Sequence, residues 1–441
     1  MFNLNKIFGF VAVALLIFTV FLGCSKDESG ATAPDYLTQT SVRVVHASGD
    51  APAVDVWVDG AVAISGLAYK ESSGYVTISA GSHNIKVTPA GASSPVVIDA
   101  TLDFKSLTEY SVFALDNLSN IKALVSEDLR APKSNKAKVR FLHAAPDAPA
   151  VDIKVGSGNG PAVFSNRAFN SISQYIEVDA GSYSFTVTGA GATQEVAVFN
   201  PISLTNGMVY TVVASGTLDP NDNIPFSVRA FVDNDNGTAT ADFSYATAQI
   251  QVTHASPDAP GVDLLADNAV VNSAPLTFPN STDYLTLDAG TRNIKVNVSG
   301  TATTVIEANL TLLANQNYSV FAVNSVSMIE PLVVQDDLTP PGAGKAHVRF
   351  LHLSPDAPTV DITLTDGTTV FDDVSFKQIT DFLPLDTGTY NLQVRTSDGS
   401  AVVLDLSGIS LTDGKIYTVF AKGFLSGSGN QALGAQIIAN N

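Results

Sequence analysis

The sequence predicts an all-β protein, with four tandem immunoglobulin-like β-sandwich domains behind a lipoprotein signal peptide. Three observations carry that prediction. One phrase recurs four times, opening at His46, His143, His254 and His352, so successive copies lie 97, 111 and 98 residues apart. The 441 residues are 45% apolar and only 15% charged, with Val, Thr, Ser, Asn and Gly prominent, which favours strands and turns over helices. Each repeat holds about seven short alternating runs between turn residues, the pattern of a sandwich of about 100 residues.

The elements follow in chain order. Residues 1–23 read as a signal peptide: Lys6, then an apolar run from Ile7 to Leu22, too short for a comfortable membrane span. Phe21-Leu22-Gly23-Cys24 resembles a bacterial lipobox, which makes Cys24 the expected lipidation site and the membrane a partner through that anchor. Lys26-Asp27-Glu28 resembles the export signal of Bacteroidetes surface lipoproteins, which places the chain on the outer membrane, at the cell surface or on the periplasmic face. Residues 24–40 read as a flexible tether. The sandwiches are expected at 41–130, 137–233, 247–337 and 345–441, with short proline-bearing joints that suggest a semi-rigid rod.

Within a repeat, Val42–His46 and Val54–Val58 alternate as strands. Tyr75–Ile78, Ala80-Gly81-Ser82 and Ile85–Val87 read as a hairpin whose glycine takes positive φ. Tyr110, Tyr210, Tyr318 and Tyr417 each follow an apolar residue by six positions, as in the tyrosine corner of such sandwiches.

A net charge of −19 argues against nucleic acid as a partner. One Cys permits neither an internal disulfide nor a Cys-based zinc site. No nucleophile elbow, Gly-rich phosphate loop or His-Glu-x-x-His helix is present, so no catalytic residue is assigned and the chain reads as no enzyme.

The phrase Val-Arg-x-x-His-x-x-Pro-Asp-Ala-Pro-x-Val-Asp, with the Asp-Ala-Gly hairpin and the Tyr-x-Val-Phe strand after it, resembles the DUF4397 family over nearly all of residues 40–441. It stands complete in the second and fourth repeats; the first has Gly49 for Pro and the third Gln251 for Arg. The resemblance implies tandem domains in secreted or surface bacterial proteins and leaves activity open.

The repeated side chains are His46, Asp50 and Asp55; His143, Asp147 and Asp152; His254, Asp258 and Asp263; and His352, Asp356 and Asp361. They read either as a structural turn clasp, with His on the core face capping turn backbone, or as divalent-metal ligands. The second Asp of each set has outward parity, where Asp152 would pair with Arg140, although Asp263 persists where Gln251 has replaced that Arg. Asp233, Asp235 and Asp242 are candidate Ca²⁺ ligands in an acidic linker, Ca²⁺ being the one cofactor considered. Trp57 is a candidate contact residue or a strand-face aromatic covering a neighbour. The function expected is adhesion, envelope interaction or display towards a protein or glycan ligand. The alternatives are a glycan-binding lipoprotein of an uptake system, marked by exposed aromatics such as Trp57 and Tyr69, and a Ca²⁺-stiffened spacer.

Overall fold

The computed structural model describes residues 38–218 and 224–441. Cys24, the segments expected to be a signal peptide and an export motif, and Asp219–Asn223 lie outside them.

The first repeat has eight strands: β1 (Gln39–His46), β2 (Val54–Val58), β3 (Ala61–Leu67), β4 (Val76–Ser79), β5 (Gly81–Pro89), β6 (Ile98–Phe104), β7 (Glu109–Leu115) and β8 (Lys122–Asp128). They form two four-stranded sheets, ordered β4-β1-β7-β8 and β3-β2-β5-β6. Strands β1 and β7 run parallel, from Ser41 opposite Glu109 to His46 opposite Ala114. The third and fourth repeats copy this plan, and the second keeps it with extra short strands on the first sheet. The first, third and fourth sandwiches are therefore four strands on four.

One expected hairpin is a corner instead. Strand β4 pairs with β1 in one sheet, whereas β5 pairs with β2 and β6 in the other. The chain crosses between sheets at Gly81, whose φ of +127° suits glycine. The tyrosine corner is present in all four repeats. The hydroxyl of Tyr110 accepts the Lys105 N–H at 3.2 Å, and Tyr210, Tyr318 and Tyr417 do the same five residues upstream at 3.1, 3.0 and 3.3 Å.

Alternation fills the cores. In the first repeat Val42, Val44, Val54, Val56, Tyr110, Val112 and Ala114 all enter one apolar cluster, and each sibling has its own. The opposite parity of β1 and β7 is buried too. Val45, Ala47, Phe113 and Leu115 of the first repeat pack on Leu142, Ala144, Val213 and Phe231 of the second. Ala255, Phe321 and Val323 of the third repeat likewise pack on Leu351, Leu353 and Phe420 of the fourth. Strands covered on both faces read as near-continuous apolar runs.

The architecture is thus two face-to-face pairs of sandwiches and not an extended rod. A smaller contact joins the pairs, through Val198 against Ala246 and Ala289, with Thr291 Oγ1 donating to the Glu195 carbonyl at 2.8 Å. Pairing also accounts for Gly49. A Cβ there would lie 2.4 Å from Cγ2 of Ile224 in the second repeat, so the proline of the sibling phrase has no room.

Candidate functional site

The His–Asp phrase sits between β1 and β2, at one end of each sandwich. His ends β1 with its ring turned into the turn that follows. Its Nε2–H donates to the carbonyl of the proline six residues on: Pro52 at 2.9 Å, Pro149 at 3.1 Å, Pro260 at 2.9 Å and Pro358 at 2.9 Å. An aromatic covers each ring edge-on, namely Tyr69, Phe169, Phe278 and Phe376, at centroid distances of 6.2–6.4 Å. The four imidazoles are at most 1% exposed.

The first Asp of each phrase reaches across to the loop after β7. Asp50, Asp147, Asp258 and Asp356 accept the backbone N–H of Leu118, Leu218, Val326 and Leu425 at 2.7–2.8 Å. The second Asp holds the other sheet. Asp55 accepts from Gly66 and Gly91 N–H, both at 2.8 Å, where the β2–β3 ladder is irregular. Asp152 accepts from Asn166 and Gly191, and those two backbone donors hold its carboxyl below the usual range. Asp263 takes Ser299 and Gly300, and Asp361 takes Asp373. One phrase thus ties three loops together, the geometry of a turn clasp. Its His and two Asp do not converge on one point, and among the described residues no group of three or more His, Cys, Asp or Glu is placed to hold a metal ion.

Burial holds the clasp imidazoles below their ordinary pKa. With Nε2–H donating, Nδ1 carries the lone pair, and all four Nδ1 atoms are buried without a hydrogen-bond partner. Protonation would put an unsatisfied N–H there. A depressed His pKa makes the unfolded chain bind more protons near the free-imidazole pKa of about 6.5, so stability is full above that pH and lost as pH falls through it. We expect the thermal midpoint to drop between pH 7.5 and pH 5 in a scanning fluorimetry series. His83, raised by its bond to Asp59, opposes this weakly from a more open site. A midpoint flat or rising towards pH 5 would contradict the clasp.

The Arg of the phrase does not pair with its own Asp152. It lies on the other face of β1, inside the contact between repeats. Arg140 of the second repeat bonds Asp128, the last residue of β8 in the first. Arg43 of the first repeat reaches Asp233 of the second at 2.5 Å. Both guanidiniums and both carboxylates are buried. Each Asp also accepts a Tyr hydroxyl from its own repeat, Tyr75 on Asp128 at 2.6 Å and Tyr175 on Asp233 at 2.7 Å. Ser111 and Thr211 complete the two carboxylates. Burial beside a carboxylate pushes both phenols well above the usual range, so they stay donors. The exchange is reciprocal, as in a two-fold interface.

Only one such bridge exists between the third and fourth repeats, from Arg349 to Asp336 at 2.6 Å, with Tyr284 donating to Asp336 at 2.7 Å. In the reciprocal position Gln251 stands for Arg and Asn440 for Asp, and the Asn440 amide donates to Gln251 Oε1 at 3.3 Å. Phe382 replaces the Tyr there and keeps only the stacking over Arg349, at 4.6 Å. Cation, anion and hydroxyl were exchanged together, which explains why Asp263 persists beside Gln251: the two were never partners.

Two further sequence candidates find other employment. Asp233 is spent on Arg43, Tyr175 and Thr211, and Asp242 on a two-pronged pair with Arg229 at 2.6 and 2.7 Å. Asp235 lies exposed in the turn between them, so the three do not form the Ca²⁺ site expected. Trp57 is half-buried and donates from Nε1 to Thr88 at 3.0 Å, covering its own sheet. Tyr69 leans on His46 and bonds Ser215 of the second repeat, so the two aromatics form no exposed cluster.

A cleft of about 490 Å³ lies where the third repeat meets the open edge of the second. Phe141, Val151, Val187 and Phe226 line its floor, and Asp267, Asp288 and Arg292 its rim.

Sequence reasoning missed Asp128, Asp336 and Asn440. A signal for them existed: they and Asp233 follow the corner Tyr residues by 18, 23, 18 and 23 positions (Tyr110 to Asp128, Tyr210 to Asp233, Tyr318 to Asp336, Tyr417 to Asn440). The alternation marks a repeat of pairs.

No curated protein matches the chain in sequence. Among solved structures, the Bacillus anthracis TIE protein is 11% identical over 88% of this chain and 68% of its own, with a TM-score of 0.18. CBMbc (family CBM26) of Eubacterium rectale Amy13K, solved with maltoheptaose, is 10% identical over 43% of this chain and 95% of its own, with a TM-score of 0.15. The family model described as "Domain of unknown function (DUF4397)" matches at residues 40–154, 157–244, 248–363 and 361–441. The chain belongs to the DUF4397 family through all four of its repeats.

Proposed function

We propose that this chain is a lipid-anchored surface lipoprotein that acts by adhesion, envelope interaction or display, without catalysing a reaction. The observation that carries the reading is the use made of the repeated His, Asp and Arg. Every one is buried or bonded to backbone, so the repeat delivers rigidity four times over and no reactive group. Rigid sandwiches present loops, and loops on rigid scaffolds carry recognition. Cys24 would hold the paired sandwiches at the membrane by its acyl chains, with residues 25–37 as the spacer.

Protease treatment of intact cells tests the placement: a surface chain is lost, and full protection would contradict it. Cys24→Ala should abolish fatty-acid labelling and leave an unprocessed precursor. Normal processing and membrane retention of that variant would refute the anchor.

The cleft beside the third repeat favours a second reading, capture of a small amphipathic or glycan ligand. Saturable glycan binding that Val196→Trp, at an exposed residue of the cleft wall, removes would support it over pure display.

A further inference from the structure

We propose that the buried charges between repeats form a pairing code, which lets the third and fourth sandwiches associate only with each other and not with the first or second of this chain or of another copy. Apolar shape alone does not discriminate. Val45 and Phe113 meet Leu142 and Phe231 in one pair, and Phe321 meets Leu351 and Phe420 in the other, so the two contacts are alike in chemistry. Short joints favour sequence neighbours within one folded chain. They do not stop a repeat of a second copy from docking while folding is incomplete, a known hazard of tandem domains.

The polar centre supplies the distinction. Each contact places the β1 residue of one repeat on the β8-end residue of the other, in both directions. The first and second repeats carry Arg with Asp (Arg43 and Asp128; Arg140 and Asp233), the third carries Gln251 with Asp336, and the fourth Arg349 with Asn440. In the pairs observed, every Arg meets an Asp and the one Gln meets the one Asn. Docking the third repeat on the first or second would set Gln251 against Asp128 or Asp233, a buried carboxylate with no cation. Docking the fourth there would set Arg43 or Arg140 against Asn440, a buried guanidinium with no anion. Third on third and fourth on fourth fail in the same way. A buried charge stripped of its partner disfavours such a state by a factor of about 100 or more. Partners are thus selected partly by penalties built against the wrong ones.

The test uses the full-length chain with Cys24→Ala, refolded from denaturant at high concentration, with cross-links mapped by mass spectrometry. Inter-repeat cross-links of the parent should join first with second and third with fourth. Any dimers should be bridged within a class, through first or second repeats or through a third repeat on a fourth, and never across classes. Gln251→Arg/Asn440→Asp gives all four repeats one code while leaving each native pair matched. It should raise cross-links between the two classes at least about tenfold, a conservative fraction of the discrimination above. Arg43→Gln/Asp233→Asn makes the first pair resemble the second and should do the same, which guards against misfolding of either variant alone. Cross-class links no more frequent in either double variant than in the parent would overturn the code.

Discussion

Replacing Arg349 by Met should destabilise the third and fourth repeats together by about 3–5 kcal/mol, the usual cost of removing one partner of a buried ion pair. Asp336 would keep its bonds from Tyr284 and Ser319 but lose the cation it is paired with, in a place where the carboxylate is fully buried. The penalty is that stranded charge and not the net worth of the pair, which desolvation largely offsets. Gln251→Met, at the reciprocal position, takes a partner only from neutral groups, the Asn440 amide and the Thr282 carbonyl, and should cost about 1–2 kcal/mol. Urea unfolding of the two variants beside the parent provides the comparison. Equal effects would mean that the bridge is not buried as described.

Phe420→Ala should cost a similar amount, about 3–5 kcal/mol for a fully buried Phe. Phe420 lies on the strand corresponding to β7 in the fourth repeat (Ile416–Lys422), but it is absent from that repeat's own core cluster. It packs edge-on against Phe321 of the third repeat at 6.1 Å. The loss should therefore appear as weakened coupling between sandwiches. Calorimetry is expected to split one transition for the third and fourth repeats into two. A uniform downward shift without splitting would assign Phe420 to its own core.

Much of the fold was legible because tandem copies repeat the same evidence. Four His phrases, four corner tyrosines and the strict parity of Val42 and Val44 all report local geometry, which sequence encodes directly. The clasp was legible for the same reason: His Nε2 and its proline carbonyl are six residues apart. What parity could not reveal was the second burial of β1 and β7. Alternation says that Val42 and Val45 face opposite ways, not that a second sandwich covers Val45. Arg140 therefore looked like a surface residue with Asp152 as its neighbour, when its partner lies on β8 of another repeat. Asp233 looked like a cation ligand because acidic, Asn-rich turns commonly are, and only the paired fold brings Arg43 to it. The change to Gln251 stood out in the phrase, but only the pairing shows that Asn440 and Phe382 change with it.

Native-state hydrogen exchange on the Arg140→Met chain tests the interlocked pair most directly. Arg140 belongs to the second repeat and its partner Asp128 to the first. The paired architecture predicts that amides of β1, β7 and β8 in the first repeat lose protection together with those of the second, while the third and fourth repeats are unchanged. Loss of protection confined to the second repeat would contradict it.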